Sequence, residues 1–551
     1  MPVAEQYPAQ LIEHQVQEPS ARWRAAWKRV LTHTHTFSGR EDHGGAVPPP
    51  TAYARLARWA AERGVDAVGM GSPYTPEAAA AQQRYDGPQR DRYYEAGFDR
   101  QAVRQSQLEQ VRQMLERVAA CAENGTLFYL DNETPKGRFG HMWWVGYHAD
   151  EPPWHDYDQD FDRWMLHRSV PGDDSAEPMP YTRRPYTQIV AIQRGAGALG
   201  YWAHPTSWWR DGQGRFITNI ASELPAHLIA EGFADGMVVM GYQAYRPAYL
   251  ALWHKLLDAG FRLPGVAEMD VGLSCESTWQ RRGQRVLLNQ LWLGEGTGRP
   301  AVDELTRAFA SGRLVASSGP VLDLTVDGHA MGQVAPSGGD VTHQVELTAC
   351  AADGDQRLGR VELRGPGEEL LWAGEDLPGG RLRLALPGMR QRGYVTARAF
   401  GAVQGKAEGG RHGPAQVAIS NPVYFHPPGE GFEKPMPTRV RVAAGDDSPF
   451  AGATVRFETA GGELLEKGRL TRDGAEVTMP AHGRVTCVDQ DGRSRTLYLI
   501  TANERLMEVQ RYLYRGRFLR DFPNSASGVV PPEAWRLEDY RRAMERVTLR
   551  V

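Results

Sequence analysis

The pair His33 and His35 closes an apolar run, RVLTHTH. On a strand, residues i and i+2 share a face, so both imidazoles could meet one metal ion. Sixteen histidines in 551 residues would give roughly half an HxH by chance, so the spacing alone decides little. Other residues repeat the placement. Glu133 ends TLFYLDNE, His204 follows GALGYWA and Asp270 ends LPGVAEMD, while His141 opens HMWWVGY after a glycine-bearing turn at 136–140. The ends of several separate runs therefore deliver His, Glu and Asp, a donor set that suits zinc, manganese or iron. A carboxylate among them could also bridge two ions, as in two-metal hydrolases.

Elements of two textures would have to position these groups. Up to about residue 320, short apolar runs alternate with helical patterns, which predicts a parallel sheet or a barrel with its site at the C-terminal ends of the strands. Helices are expected over TAYARLARWAAERG with a stop at Gly64, over 99–122, Tyr186–Arg194, Ala248–Ala259 and Val302–Ser311. After Gly319-Pro320 the runs VLDLTVDG, HQVELTAC, RVELRG, RLRLALPG and YVTARAFG alternate at period two, an antiparallel sandwich pattern. A second small β unit is expected from about Thr438 to Thr501, with a hairpin at Gly461-Gly462. A closing helix is expected from Pro532 through EAWRLEDYRRAMERV. The domains are then 1–320, 321–430 and 431–551.

Composition narrows the function. Formal charge is −4, with 63 Lys+Arg against 67 Asp+Glu, so no bulk field draws the chain to nucleic acid or an anionic membrane. No apolar run approaches the ~20 residues of a membrane helix. Four scattered cysteines do not make a disulfide framework or a cysteine zinc site. The polar N-terminus lacks the pattern of a secretory signal, so the expected compartment is the cytoplasm, unless a leader has been processed away.

The pieces LTHTHTFSG, RGVDAVGM, NETPKGRFGHMWWVG, GALGYWAHP, GVAEMD and ELTRAFASGRLVASSGPVLDLTVDG resemble, in order, the polymerase-and-histidinol-phosphatase (PHP) superfamily of metallohydrolases. Within it they are most similar to the carbaryl-hydrolase-like (CehA/McbA-like) branch. The resemblance spans about residues 30–328. It implies a distorted (β/α)7 barrel followed by antiparallel β-sandwich domains, with up to three metals. Three family ligand positions differ here. Gly71-Ser72-Pro73 replaces an Asp-His pair, Val271-Gly272 stands where Asp270 would lead into Asp-x-His, and Ser38-Gly39-Arg40 lacks a ligand. In the family these serve a third metal, so the expectation is one or two divalent ions. The resemblance implies His33, His35, Glu133 and Asp270 on one ion, and Glu133, His141 and His204 on the other. Glu133, Asp270 and His204 would serve the reacting centre. His43 is an alternative ligand.

The insertion 74–99 carries Tyr93 among arginines and tyrosines and reads equally as a substrate wall or a solvated helix face. Lys136, Arg138 and Arg210 are candidate contacts for a substrate anion. Trp143, Trp144, Trp202, Trp208 and Trp209 lie near the ligands, and most are expected to be core. The leading reading is a metal-activated water attacking a phosphoester, carboxylic ester or carbamate of a small molecule. The competing readings are a metal-dependent lyase or isomerase acting on a sugar-like or aromatic compound, and a non-catalytic binding scaffold. The β domains could also form a homo-oligomer interface. The stretch SPFAGATVRFETAGGELLEKGRLTRDG resembles carboxypeptidase-regulatory-like sandwiches.

Overall fold

The computed structural model describes residues 7–16, 20–35, 50–71, 125–133, 142–147, 193–195, 197–205, 208–210, 216–218, 234–241, 244–245, 247–258, 260–272, 286–295, 298–336, 341–351, 357–387, 393–401, 416–425, 438–444, 448–459, 464–471, 473–479, 483–492, 494–499 and 546–550, with residues 113, 116, 117 and 120 besides.

Strands Trp27–His35, Ala67–Gly71 and Leu127–Glu133 pair in parallel. The helix Pro50–Glu62 makes the first crossover, and Gly64, at φ 59°, turns the chain toward the second strand. The strand Ala67–Gly71 is buried at every position, which is why its sequence reads as one continuous apolar run. The direction then reverses. Met142–Val145 runs antiparallel both to Leu127–Glu133 and to Leu199–Trp202. Residues 134–141 are too few for a crossover helix, which takes about a dozen residues. Parallel pairing resumes from Leu199–Trp202 to Gly236–Gly241 and on to Gly265–Ala267, with the helix Pro247–Asp258 between the last two.

The expected (β/α)7 barrel is therefore corrected. Strands make up 52% of the described residues and helices 18%, in five helices. On the other side of Trp27–His35 the same sheet continues through antiparallel strands Leu288–Trp292, Leu314–Ser317, Val417–Ser420, Tyr394–Gly401, Arg357–Arg364 and Leu370–Pro378, within a sheet of 16 strands. The helix Val302–Ser311 sits in this antiparallel stretch.

The second half is the sheet-rich, sandwich-like architecture that the period-two pattern predicts. Val321–Val326 and Gly380–Leu386 alternate more and less buried positions along their length. Their inward residues Leu322, Leu324, Val326, Leu382 and Leu384 share a core with Val361, Leu363, Val395 and Ala397 of the large sheet. The N-terminal strand Gln10–Gln15 adds to this half by pairing with Gly380–Leu386. Farther on, Thr454–Thr459 and Leu464–Arg469 pair antiparallel around the expected hairpin, whose glycines lie outside the described residues. The expected closing helix is corrected at its end: Arg546–Arg550 is a strand, parallel to Thr438–Ala443. Among the described residues no helix is long and apolar enough to cross a membrane.

A buried polar network joins the helix Pro247–Asp258 to the sandwich. Arg398 Nη2 lies 2.9 Å from His254 Nε2, which must therefore accept. His254 Nδ1–H then faces the Tyr394 hydroxyl at 2.9 Å, and that hydroxyl donates to Asp258 Oδ1 at 2.8 Å. Burial, then Arg398 and Arg364, hold the His254 pKa well below its ordinary value. The folded chain thus keeps this imidazole neutral where the unfolded chain takes up a proton, below about pH 6.5. Stability is expected to fall as pH drops through that point, by about 1.4 kcal/mol per pH unit. Urea midpoints of the native chain and of His254→Gln measured from pH 7.5 to 5.5 check this. The two curves should converge on acidification, and parallel curves would refute the assignment.

Candidate metal centre

Four of the expected ligands converge. His33 Nε2 lies 3.5 Å from Glu133 Oε2 and 3.5 Å from Asp270 Oδ1. His204 Nε2 lies 3.0 Å from Glu133 Oε1 and 3.7 Å from Asp270 Oδ2. The two imidazole centroids are 5.9 Å apart, and ligand atoms of His33, His204 and Asp270 all fall within 4.8 Å of one another. Donors bonded to one ion at about 2.0–2.1 Å stand roughly 3.4 Å apart along a tetrahedral edge. The observed separations bracket that value, and two imidazoles with two carboxylates are a donor set for zinc, manganese or iron. The residues present fit a divalent ion.

Local backbone geometry aims these side chains. His33 (φ 61°), His204 (φ 26°) and Asp270 (φ 49°) all lie in the left-handed region, which costs a non-glycine residue on the order of 1–3 kcal/mol. Six described non-glycine residues have positive φ, and the other three are Asp327, Glu368 and Asp376. At His33 the strand breaks register with its neighbour, the pairing jumping between Leu31 and Thr34. A second shift falls between Val266 and Ala267, just ahead of Asp270. Bulges of this kind re-aim a side chain out of the regular pleat.

Glu268, inside the quoted GVAEMD, was not among the residues expected from sequence. It is 1% exposed. Its Oε2 accepts from His33 Nδ1 at 2.7 Å, and its Oε1 accepts from the His204 backbone N–H at 2.9 Å. One carboxylate thus sets the orientation of both histidines and turns His33 Nε2 toward Glu133 and Asp270. Burial alone would lower the His33 pKa, but Asp270, Glu133 and Glu268 outweigh it and push it up to about 10. His204 is raised for the same reason, against burial, by Glu268, Glu133 and Asp270. So much buried negative charge calls for a cation.

Trp143 stacks on His33, with centroids 3.8 Å apart and planes at 18°. Its Nε1–H donates to Asp131 at 3.0 Å, and burial holds that carboxyl well above the usual range. Asp131 lies so close over Gly69 that a Cβ there would fall 1.9 Å from Oδ2. Trp143, Trp144 and Trp202 are all fully buried, core residues as expected.

Substituting Glu268→Gln is expected to weaken metal binding 10–100-fold, the usual effect of losing a group that orients a ligand. The amide keeps one accepting oxygen where two donors need one each. Competitive titration against a fluorescent zinc chelator measures it, and unchanged affinity would refute the role.

His35 ends the strand Trp27–His35, but its side chain lies outside the described residues. His141, His43, Tyr93, Lys136 and Arg138 also lie outside them. Arg210 ends a short strand, Trp208–Arg210, paired with Phe216–Thr218, and its side chain and those of Trp208 and Trp209 are likewise outside. The two-ion partition implied by the resemblance placed His33 and His204 on different ions, whereas the geometry draws them together with Glu133 and Asp270.

No family model matches the chain, and no curated protein matches it. Among solved structures it is similar to BcpA, the major pilin subunit of Bacillus cereus, at 10% identity and a TM-score of 0.14, covering 34% of this chain and 68% of that one. It is also similar to the Bacillus anthracis TIE protein, at 10% identity and a TM-score of 0.11, covering 42% of this chain and 46% of that one. Likenesses this low carry no inference about fold or function.

Proposed function

We propose that the protein is a metal-dependent hydrolase, cleaving an ester-type bond of a small molecule: a phosphoester, a carboxylic ester or a carbamate. The observation that carries this reading is that His33, His204 and Asp270, all at left-handed backbone positions, bring ligand atoms within 4.8 Å of one another, with Glu133 facing both imidazoles. A divalent ion held there would supply a Lewis acid and a water acidic enough to ionise near neutral pH. The chain's own contribution is to hold and orient. His33 and His204 present Nε2, Glu133 turns one oxygen to each, and Asp270 does the same. Glu268 fixes the rings, and Trp143 backs His33 with an apolar face that keeps water off it.

The test is elemental analysis of protein purified without chelator, coupled to a screen of aryl phosphoesters, aryl esters and carbamates with zinc, manganese and iron. About one bound ion per chain with turnover of one class is expected. Metal-rich protein that turns over none of them overturns the hydrolase reading, and metal-free protein overturns the centre itself.

A further inference from the structure

A second cleft, of about 660 Å³, opens at the other end of the central strands. It lies where Trp27–His35 begins, whereas the metal cluster lies where that strand ends. On that strand the lining residues Trp27 and Arg29 stand six and four residues before His33. The volume is in the range of small-molecule sites.

Three arginines line this cleft, Arg24, Arg29 and Arg63, against one acid, Glu62. A Cβ on Gly64 would stand 3.5 Å from Arg29 Nη1, so that guanidinium lies across the bare glycine backbone at the cleft wall. The Arg63 guanidinium is held over the Trp59 ring, 4.9 Å from its centroid. Aromatic surface comes from Trp23 and Trp27, tilted at 5.8 Å. Among the described residues, two polar atoms of the lining have no hydrogen-bond partner and are buried in the wall beneath the cleft, Trp27 Nε1 and Gln290 Oε1. Their residues are only 5% and 4% exposed. Gln290 Nε2 donates to Pro320 O at 3.1 Å, which fixes the amide in that wall.

We propose that this cleft binds a small aromatic anion. The arginines neutralise the carboxylate or phosphate, and the partly exposed Trp23 stacks the ring. The site does not depend on the metal centre, and its test runs in chelator so that the two readings fail separately.

Calorimetric titration of the full chain uses 4-hydroxybenzoate and phenyl phosphate as the carboxylate and phosphate arms, with neutral 4-hydroxybenzyl alcohol as control. At least one anion should bind once per chain, about tenfold or more tighter than the alcohol. Arg24→Glu and Arg63→Glu, both toward the surface, should each weaken that binding by about tenfold, while His33→Ala leaves it unchanged. Of the two arms, the tighter binder identifies the anionic group. Absence of binding by both anions, equal binding of the alcohol, or indifference to both charge reversals would overturn the proposal. Loss of binding in His33→Ala would overturn it too, by placing the anion at the metal cluster.

Discussion

His204→Ala is expected to reduce bound metal from about one ion per chain to trace, and to bring hydrolysis to background. The imidazole Nε2 it removes faces Glu133 at 3.0 Å and Asp270 at 3.7 Å, so the loss takes one donor and leaves the two carboxylates, Glu133 buried and Asp270 partly so, without it. The effect should exceed the 10–100-fold loss that follows removal of an orienting group. His33→Ala and Asp270→Asn should behave alike, because each takes a donor from the same cluster. The informative control is His343→Ala. His343 is equally buried, and its Nδ1 pairs with Asp327 at 2.6 Å on the sandwich half. That variant should keep its metal whatever it does to stability. Elemental analysis of the four variants settles the matter: equal metal content in all of them would mean the ion binds elsewhere.

Much of this centre was legible because strand ends are legible. Glu133 is the last residue of its strand, and His204 and Asp270 follow theirs within a few positions. An apolar run that stops on an acid or an imidazole marks such a place without any knowledge of pairing. Glu268 escaped because it sits inside the run, where an acid reads as an interruption and not as a buried acceptor for two histidines. The left-handed backbone at His33 also left no mark, since histidine carries no bias strong enough to announce it. Helices with a clear stripe were legible: Pro50–Glu62, Pro247–Asp258 and Val302–Ser311 lie within a few residues of the expected spans. Strand direction was not. A strand buried on both faces reads as an unbroken apolar run whichever way it runs, so nothing in HMWWVGY showed that Met142–Val145 reverses. Non-local pairing defeated the reading at both ends. Gln10–Gln15 is polar and joins a strand over 300 residues away, and Arg546–Arg550 follows a helical pattern yet pairs with Thr438–Ala443.

The same limit hides what holds the strand that delivers Glu268 and Asp270. Gly265–Ala267 is three residues long and pairs with Gly236–Gly241. Two buried asparagines bind its backbone in the manner of a neighbouring strand. Asn289 accepts from the Ala267 N–H at 2.8 Å and donates to its carbonyl at 2.8 Å. Asn421 accepts from the Gly265 N–H at 2.6 Å and donates to its carbonyl at 2.9 Å, reaching Leu314 O at 3.0 Å as well. Residue 265 must be glycine for this approach, because a Cβ there would meet Val239 at 2.7 Å and Trp253 at 3.0 Å. Asn421→Ala leaves the Gly265 N–H and carbonyl without these partners in a dry interior, at about 1–3 kcal/mol for each. The expected loss is about 3–5 kcal/mol of stability, read from urea unfolding. Asn421→Asp should fall between, since it still accepts from the Gly265 N–H but can no longer donate. Although Asn421 is not a ligand, metal affinity should fall in both variants, because Glu268 and Asp270 follow directly from the strand it anchors. A loss below about 1 kcal/mol would mean that the strand is held by its ladder with Gly236–Gly241 alone, and that the asparagine amides are incidental to the site.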